Sequence, residues 1–200
     1  MNGFEKRAVQ IKQKIKQTVL EMLGEWEPRQ IRIKDIAAKA EVSQVTIYNY
    51  FGSKEALLRE VFKEFVAMLM EEYERVLTGD APLKEKIEYI IFQKSRLKLP
   101  FTPSALKQLI EADPEINRFI QQQYEERAIP LITDFVQKGK QRGEISEKVS
   151  VQMVLLYVGM MTEQYEKMLD LVNQSEDPEA FTEDMIHVFF YGICGPQYQK

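Results

Sequence analysis

The sequence predicts an all-α protein in which a small N-terminal head of three helices is joined by one long helix to a larger helical body. Apolar residues recur at helical spacing along most of the 200-residue chain. Three pairs of a capping residue and a proline, Thr102-Pro103, Asp113-Pro114 and Asp177-Pro178, indicate where helices begin. No window alternates between apolar and polar residues with flanking turn residues, so strands are not expected.

Composition limits the classes of protein that this chain can represent. A hydrophobic content of 44% is enough for a sizeable core in one domain or two modest ones. The single cysteine, Cys194, excludes an intramolecular disulfide and a cysteine-built metal site, which fits a reducing cytoplasm. The longest apolar-rich run, Met185 to Cys194, is too short to span a bilayer, and charged residues interrupt any secretory leader. We therefore expect a cytoplasmic protein without a membrane anchor.

Charge is distributed unevenly along the chain. The net charge of −4 by itself argues against binding to nucleic acid. Residues 1–60, however, carry eleven basic and eight acidic side chains, a net +3, which leaves −7 for residues 61–200. A basic head on an acidic body is the asymmetry expected if only the head contacts phosphate.

The first helix is predicted from about Phe4 to Leu23. Its inward face would consist of apolar residues at helical spacing: Val9, Ile11, Ile15, Val19, Leu20, Met22 and Leu23. Lys12, Lys14 and Lys16 would form a solvated face, with Arg7 and Lys12 the better candidates for phosphate contacts. The segment from Gly24 to Gln30, with Trp26 and Pro28, is predicted to be a loop.

Two short helices with a sharp turn between them are predicted from Ile33 to Phe51. The first carries apolar residues at Ile33, Ile36, Ala37 and Ala40, and the second at Val45, Ile47, Tyr48 and Phe51. Ser43 is placed to cap the second helix, which begins at Gln44. Val45 and Ile47 are expected to pack inward against Ile36 and Ala40. This is the pattern of a helix-turn-helix, whose second helix suits the DNA major groove.

At these residues the chain resembles the TetR family of transcriptional regulators. The similarity covers about a quarter of the chain, in three stretches: Asp35-Ile36-Ala37 through Val42-Ser43, then Thr46-Ile47-Tyr48-Asn49-Tyr50-Phe51, then Ser53-Lys54-Glu55-Ala56-Leu57-Leu58. The resemblance implies a DNA-binding domain at residues 1–55 and a ligand-binding and dimerisation domain at residues 56–200. It also implies a sequence-specific regulator, most simply a repressor that a small hydrophobic or aromatic effector releases from its DNA operator.

The resemblance divides the DNA-binding candidates into two groups. Gln44, Thr46 and Asn49 are candidates for base edges, because amide and hydroxyl groups pair with bases in the major groove. Tyr48, Tyr50, Lys54 and Ser43 would contact the sugar-phosphate backbone. Arg32, Lys34 and Val45 complete the predicted surface, and Phe51 rather than Tyr50 is assigned to the core.

Three residues depart from the family pattern. Glu41 stands in the turn where glycine is usual, and a non-glycine residue held left-handed there would cost ~1 kcal/mol. Arg32 replaces a threonine or serine that often caps the first helix of the pair; it cannot cap, but it could reach a phosphate. Val45 stands where a small residue is common, which leaves open whether it meets DNA or the domain core.

Ser53 is predicted to cap a long helix that continues to about Leu77 and joins the head to the body. Further helices are expected from Leu83 to Leu99, after Thr102 and after Asp113, with Pro130 kinking or dividing the segments Ile116 to Arg127 and Leu131 to Arg142. In all, we expect eight to ten helices.

Two helices close the chain, at about 149–172 and 179–193. The first carries two apolar stripes, one through Val151, Val154, Leu155, Val158, Met161, Tyr165 and Leu169, the other through Met153, Tyr157, Met160 and Met168. A helix that is apolar on two sides packs against two partners. We expect a homodimer through both helices as a four-helix bundle, with one thick monomer core as the alternative.

Flexible and aromatic residues of the body are candidates for an apolar effector pocket. They are Phe65, Met68, Leu69, Tyr73, Ile91, Phe92, Leu106, Ile110, Phe119, Tyr124, Tyr157, Met160, Met161, Gln164 and Tyr165. Of these, Tyr73, Tyr124, Tyr157 and Gln164 would supply polar contacts. The alternative for each single residue is an ordinary place in the core.

No catalytic, metal or cofactor site is predicted. The single histidine, His187, sits in an apolar helix and is interpreted as a core or interface residue, with metal binding a weaker alternative. Glycine-rich phosphate loops are absent from the sequence. Two other functions stay open. One is a ligand-independent architectural or nucleoid-associated DNA-binding protein. The other is an enzyme built on the body, for which the sequence offers no convergent titratable groups.

Overall fold

The computed structural model describes residues 3–92 and 101–191, and within them the chain is helical, with no β-strand. The head contains α1 (Gly3–Leu23), α2 (Ile33–Lys39) and α3 (Gln44–Phe51), and the long α4 (Lys54–Thr78) follows. The later helices are α5 (Leu83–Phe92), α6 (Pro103–Ala112), α7 (Pro114–Gln123), α8 (Ile129–Gln141), α9 (Val151–Glu163), α10 (Tyr165–Gln174) and α11 (Pro178–Tyr191). The all-α fold class is confirmed.

Helix starts follow the capping residues that the sequence predicts. Ser53 accepts a hydrogen bond from the N–H of Ala56 at 3.0 Å, and Thr102 accepts one from Ala105 at 3.0 Å. Asp113 accepts from Glu115 at 2.9 Å. Asp177 accepts from Ala180 at 3.1 Å. Each of these side chains pairs with one of the free N–H groups of a first helical turn.

The helix does not end at Pro130. A π-helical turn at Tyr124–Ala128 connects α7 to α8, so the helical path continues from Pro114 to Gln141. Proline has no N–H, and its ring collides with the carbonyl group four residues earlier in a regular helix. The wider π turn lies just before the proline. Its hydrogen bonds join residues five apart instead of four.

The predicted helix over 149–172 is divided, which corrects the sequence-based expectation. Gln164, with φ −94° and ψ 6°, separates α9 from α10. This division brings the number of α-helices in the described residues to eleven, one more than the upper expectation. The predicted helix from Leu83 is seen to Phe92, and its continuation to Leu99 lies outside the described residues, as does Cys194.

The chain forms two compact units. Unit 1 contains Met1–Thr78 and Lys98–Leu131, and unit 2 contains Gly79–Leu97 and Ile132–Lys200. These units are defined by packing, so the predicted functional boundary between residues 1–55 and 56–200 stays a prediction.

The core of unit 1 combines the head with α4, α6 and α7. The residues that close it are Ile15, Val19, Leu23, Ile36, Ile47, Phe51, Leu57, Val61, Phe62, Phe101, Leu109 and Ile116. The ring of Phe101 lies 6.0 Å from that of Phe62 and 4.9 Å from that of Phe65. Not every predicted core residue takes part, since Val9 of α1 is exposed.

In unit 2, the described side chains pack closely at the end of α8. Val136 and Gly139 are buried there. A Cβ placed on Gly139 would come within 2.5 Å of the Ile145 side chain, so glycine permits this close approach.

Candidate nucleic-acid interface and effector-binding residues

The second helix of the helix-turn-helix, α3, begins at a well-formed cap. Ser43 accepts a hydrogen bond from the N–H of Thr46 at 3.0 Å, and the two hydroxyl oxygens lie 2.8 Å apart. This confirms Ser43 as the N-cap. It also means that the hydroxyl groups of Ser43 and Thr46 already pair with each other.

One face of α3 is open to solvent and the other closes the head. Ile47 is fully buried and Phe51 nearly so, whereas Gln44, Tyr48 and Asn49 are exposed and Tyr50 is half-buried. The assignment of Phe51 rather than Tyr50 to the core is therefore confirmed. The outer face presents amide, phenol and apolar groups together, as a helix in the major groove requires.

The inward packing expected for Val45 is wrong. Its side chain is 66% exposed and lies on the outer face of α3, beside Gln44. In the first turn of α3, Ile47 is the residue that is buried. An exposed valine at this place can contact the methyl group of thymine.

The turn before α3 is left-handed at Glu41, with φ 54°, the only non-glycine residue with positive φ in the described part of the chain. The ammonium group of Lys14 lies 2.6 Å from the Glu41 carboxylate. Hydrogen bonding from Lys14 holds the pKa of Glu41 below its ordinary value. The turn is thus left-handed at a residue other than glycine.

The basic side chains of the head differ in their exposure and in their contacts with other residues. Arg32 and Lys34, at the start of α2, are exposed, and Arg32 makes no capping bond, as expected. Arg7 is exposed on α1. The ammonium group of Lys12 lies 5.6 Å from the ring centre of Tyr50 and 5.9 Å from that of Phe51. Lys12 therefore positions the aromatic pair at the end of α3.

Lys54, a predicted phosphate ligand, makes hydrogen bonds within the head. Its ammonium group donates to the carbonyl oxygens of Pro28 and Ile31, each at 3.1 Å. These bonds tie the first turn of α4 to the loop before α2. Its contact with phosphate stays a prediction.

Two contacts that hold α4 were missed at the sequence level. Lys16, expected in a solvated face, is 9% exposed and bonds to Glu60 at 3.4 Å and to Glu64. Burial lowers the pKa of Lys16, but the carboxylates, Glu64 foremost, outweigh it and hold the pKa above its ordinary value. No local sequence signal reveals this, because the partners lie on another helix.

The second contact joins α4 to the start of α7. The Nε of Arg59 lies 2.7 Å from Asp113, and its Nη1 lies 2.8 Å from Glu115. Asp113 therefore caps α7 and pairs with α4 at the same time. Only the capping role could be expected from the Asp-Pro-Glu spacing.

The predicted effector-binding residues fall in both units. In unit 1, Phe65, Leu106 and Ile110 pack against the core, Met68 and Tyr124 are exposed, and Leu69 and Tyr73 are half-buried. Burial raises the pKa of the Tyr73 phenol. In unit 2, Tyr157 is half-buried, and Met160 and Gln164 are exposed. The side chains of Ile91, Phe92, Met161 and Tyr165 lie outside the described residues. The role of all these residues in effector binding stays a prediction.

A groove of about 490 Å³ runs between α4 and α7 and brings one of these residues together with charged groups. Phe119 lines the groove, and the ammonium group of Lys63 lies 5.3 Å from its ring centre. Arg59 and Glu60 also line the groove. Most of its charged groups are paired, so it offers little uncompensated charge to a ligand.

The described residues contain neither a metal-binding cluster nor a membrane-spanning helix. No group of three or more histidine, cysteine or acidic residues is placed to hold a metal ion in residues 3–92 and 101–191. None of the helices in that part of the chain is both long and apolar enough to cross a bilayer.

Comparison with known proteins agrees with this geometry. Residues 21–61, which contain the end of α1 and the helix-turn-helix, match the model of bacterial regulatory proteins of the tetR family. The fatty acid metabolism regulator protein of Bacillus subtilis is 28% identical over 141 residues, covering 67% of this chain and 70% of that protein.

Solved structures show the same fold. The transcriptional regulator FadR from Bacillus subtilis, solved with stearoyl-CoA, has a TM-score of 0.64 at 23% identity over 90% of this chain and 98% of that one. The fatty acid degradation regulator FadR from Bacillus halodurans has a TM-score of 0.66 at 18% identity over 92% and 97% of the two chains. With its exposed, capped α3, the segment at residues 21–61 matches the helix-turn-helix of the tetR family of bacterial regulatory proteins, and the chain is a DNA-binding transcriptional regulator.

Proposed function

We propose that this protein is a repressor that binds a nearly palindromic operator as a homodimer and is released by a long-chain fatty acyl thioester. The observation that carries the DNA-binding part is the outer face of α3. Its first turn is capped by Ser43, and Gln44, Val45 and Asn49 all face solvent there. Those groups can reach base edges without any rearrangement of the head.

The proposed contacts divide into two kinds. Gln44, Thr46 and Asn49 read bases, and Val45 contacts a thymine methyl group. Tyr48, Tyr50, Arg32 and Lys34 fix the register by contacts to the sugar-phosphate backbone. The exposure of Arg32 and Lys34 at the start of α2 supports this assignment.

The proposed dimer forms through α9, α10 and α11. Met153, Leu156 and Met160 follow one another at helical spacing on α9, and all are more than half exposed in the single chain. Leu171 of α10 and Val188 of α11 are also exposed. An apolar stripe of this kind is typical of a surface that a second copy covers. The dimer would present two copies of α3 about 34–36 Å apart, one turn of the duplex.

The effector class is proposed from the relatives and from the body of this chain. One relative was solved with stearoyl-CoA, and the curated relative regulates fatty acid metabolism. Phe65, Tyr73 and Tyr157 belong to the soft and aromatic set that suits a long apolar chain. Binding would favour a dimer whose two α3 helices no longer match the operator spacing, and the shift cannot exceed the preference of the ligand between the two states. We place the protein in the cytoplasm, where DNA and acyl thioesters meet.

Binding-site selection from random duplexes tests the proposal directly. The purified full chain is expected to select a two-fold symmetric sequence, and stearoyl-CoA at micromolar concentration is expected to release it. Stearoyl-CoA should leave an unrelated DNA-binding protein on its own site, which controls for detergent-like effects. Weakly specific binding that no acyl compound alters would instead indicate an architectural DNA-binding protein.

A further inference from the structure

Two hydroxyl groups meet at the start of α3. The side-chain oxygen of Ser43 accepts a hydrogen bond from the N–H of Thr46 at 3.0 Å, and the two side-chain oxygens lie 2.8 Å apart. At that distance one hydroxyl group donates to the other. Ser43 is exposed and Thr46 is half-buried, and both lie where the first turn of a recognition helix meets DNA.

The direction of this hydrogen bond on DNA follows from a count of hydrogens. A hydroxyl group has one hydrogen to donate and two lone pairs that accept. Ser43 is among the residues predicted to contact the sugar-phosphate backbone, where a phosphate oxygen only accepts. The hydrogen of Ser43 then belongs to the phosphate contact, and the bond between the two side chains takes its hydrogen from Thr46. Ser43 accepts from both the N–H and the hydroxyl group of Thr46, which uses its two lone pairs.

This direction limits what Thr46 can recognise in a base. Its hydroxyl hydrogen is used within the protein, so the oxygen can accept a further hydrogen bond but cannot donate one. In the major groove, the amino groups of adenine and cytosine are donors, whereas the carbonyl oxygens of guanine and thymine are acceptors. An amino group is therefore the complement of Thr46.

We propose that Ser43 sets the hydrogen-bond direction of Thr46, so that Thr46 accepts from the amino group of an adenine or a cytosine in the operator. Ser43 is then a positioning residue for base recognition as well as the cap of α3. The inference rests on the proposed function, because it specifies the chemistry of one of the proposed base contacts. In the opposite arrangement, Thr46 would donate to a base carbonyl group, and Ser43 would have no hydrogen for a phosphate.

The test begins with binding-site selection from random duplexes by the full chain and by Thr46→Val, which together identify the base pair that Thr46 reads. Two altered duplexes are then compared with the selected operator. In one, the adenine or cytosine of that pair is replaced by an analogue without the amino group. In the other, A·T is exchanged for G·C, or C·G for T·A, which puts a carbonyl oxygen in the place of the amino group. Fluorescence anisotropy measures the affinity of each protein for each duplex.

The parent protein should depend on the amino group through Thr46. Loss of the amino group is expected to weaken the parent protein roughly 2- to 10-fold more than it weakens Thr46→Val. The carbonyl exchange should weaken the parent at least as much, because two acceptors then face each other.

Two variants of Ser43 test its role in setting this direction. Ser43→Ala should tolerate the carbonyl exchange, because the hydrogen of Thr46 is free to be donated to the new oxygen. Ser43→Asn keeps an oxygen that caps α3 and accepts from Thr46, so it should reject the exchange as the parent does.

A purely structural role of Ser43 would not change the ratio of affinities for two duplexes. Loss of the α3 cap in Ser43→Ala lowers affinity for all duplexes alike, so the ratio measured within one variant is independent of it. Ser53→Ala removes the cap of α4 instead and is the matched control. It should reject the carbonyl exchange as the parent does.

The outcomes distinguish this inference from the function on which it rests. Equal losses of the parent and Thr46→Val on the analogue, or rejection of the exchange by Ser43→Ala, would overturn the inference while the protein remains a sequence-specific regulator. If Thr46→Val changed the preference at no base pair, Thr46 would not be a base contact, and the inference would fail with that assignment. A parent protein that selects no sequence would overturn the proposed operator binding itself.

Discussion

Glu41 shows how this chain makes a tight turn without glycine. A left-handed non-glycine residue costs ~1 kcal/mol, and the Glu41 side chain takes part in an ion pair with Lys14. That pair joins the turn to α1, so the residue that strains the turn also ties it to the head. Glu41 thus makes a contact that glycine could not make.

At the level of single residues, Asn49 and Lys34 should affect DNA binding differently. Asn49→Ala is expected to change the preference at one base pair by ~1–3 kcal/mol, because Asn49 is exposed on the outer face of α3, where its amide can pair with a base. Lys34→Ala should weaken binding to all sequences about equally and reduce the salt dependence by about one phosphate contact. Fluorescence anisotropy on operator variants at several salt concentrations measures both. Uniform losses in both variants would contradict this division of roles.

Lys54 should contribute to the stability of the head as well as to DNA binding. Lys54→Met removes two hydrogen bonds to the carbonyl groups of Pro28 and Ile31. We expect a loss of about 1–3 kcal/mol in the free energy of unfolding, measured by urea denaturation. Lys34→Met, which removes an exposed lysine of α2, is the matched control and should unfold like the parent. Equal stability of Lys54→Met and the parent would mean that these bonds contribute nothing.

Helix α4 is held by other elements from two sides. Lys16 of α1 bonds to Glu60 and Glu64, and Arg59 pairs with Asp113 at the start of α7. Arg59, Glu60 and Glu64 all lie within two consecutive helical turns near the start of α4. Any displacement of α7 can therefore be passed to α4 through a charged hydrogen bond of 2.7 Å.

Asp113 permits a test that separates its charge from its capping role. Asp113→Asn keeps a capping oxygen but loses the charge, and should cost about 1 kcal/mol in stability at neutral pH, since Arg59 keeps Glu115. Asp113→Ala also removes the cap and should lose an additional ~0.5–2 kcal/mol. Urea unfolding of the three proteins provides the comparison. A smaller loss for Ala than for Asn would contradict this order.

The same residue should produce a pH dependence of known sign. Burial raises the pKa of Asp113, but bonds from Arg59 and from the N–H of Glu115 outweigh it and hold the pKa below its ordinary value of 3.8. A carboxyl whose pKa is lower in the folded state stabilises the protein above its unfolded-state pKa, and this contribution disappears as pH falls through the folded-state value. The stability difference between the parent and Asp113→Asn should therefore shrink below about pH 4. A constant difference from pH 7 to pH 3 would exclude this linkage.

For the whole molecule, the exposed apolar stripe of α9 should control both assembly and operator binding. Leu156→Glu places a charge in the proposed dimer surface, and we expect the mass measured by light scattering to halve at micromolar concentration. Operator affinity should fall at least 10-fold, because one head binds without help from the second. Gln137→Glu adds the same charge to an exposed position of α8 and should stay dimeric. A parent protein that is monomeric at the same concentration would exclude the proposed dimer.

Sequence-based prediction was most successful where the evidence is local. The long helix was expected to end at about Leu77 and ends at Thr78, and α1 and α3 begin within one residue of the expected positions. The assignments of Phe51 to the core and of Ser43 to the cap were confirmed. Prediction was less successful where a residue could lie on either side of its helix, as with Val45. It was also less successful where a long apolar segment is divided into two helices, as at Gln164.

By itself, the sequence determined the helical class, the helix starts and the helix-turn-helix, because apolar spacing and capping depend on residues within one or two turns of each other. Only the tertiary structure decided which charges are buried and what they meet. Lys16 and Glu64 are 48 residues apart, and Arg59 and Asp113 are 54 apart. Pairing between distant charges is set by how the helices pack, and local periodicity contains no information about it.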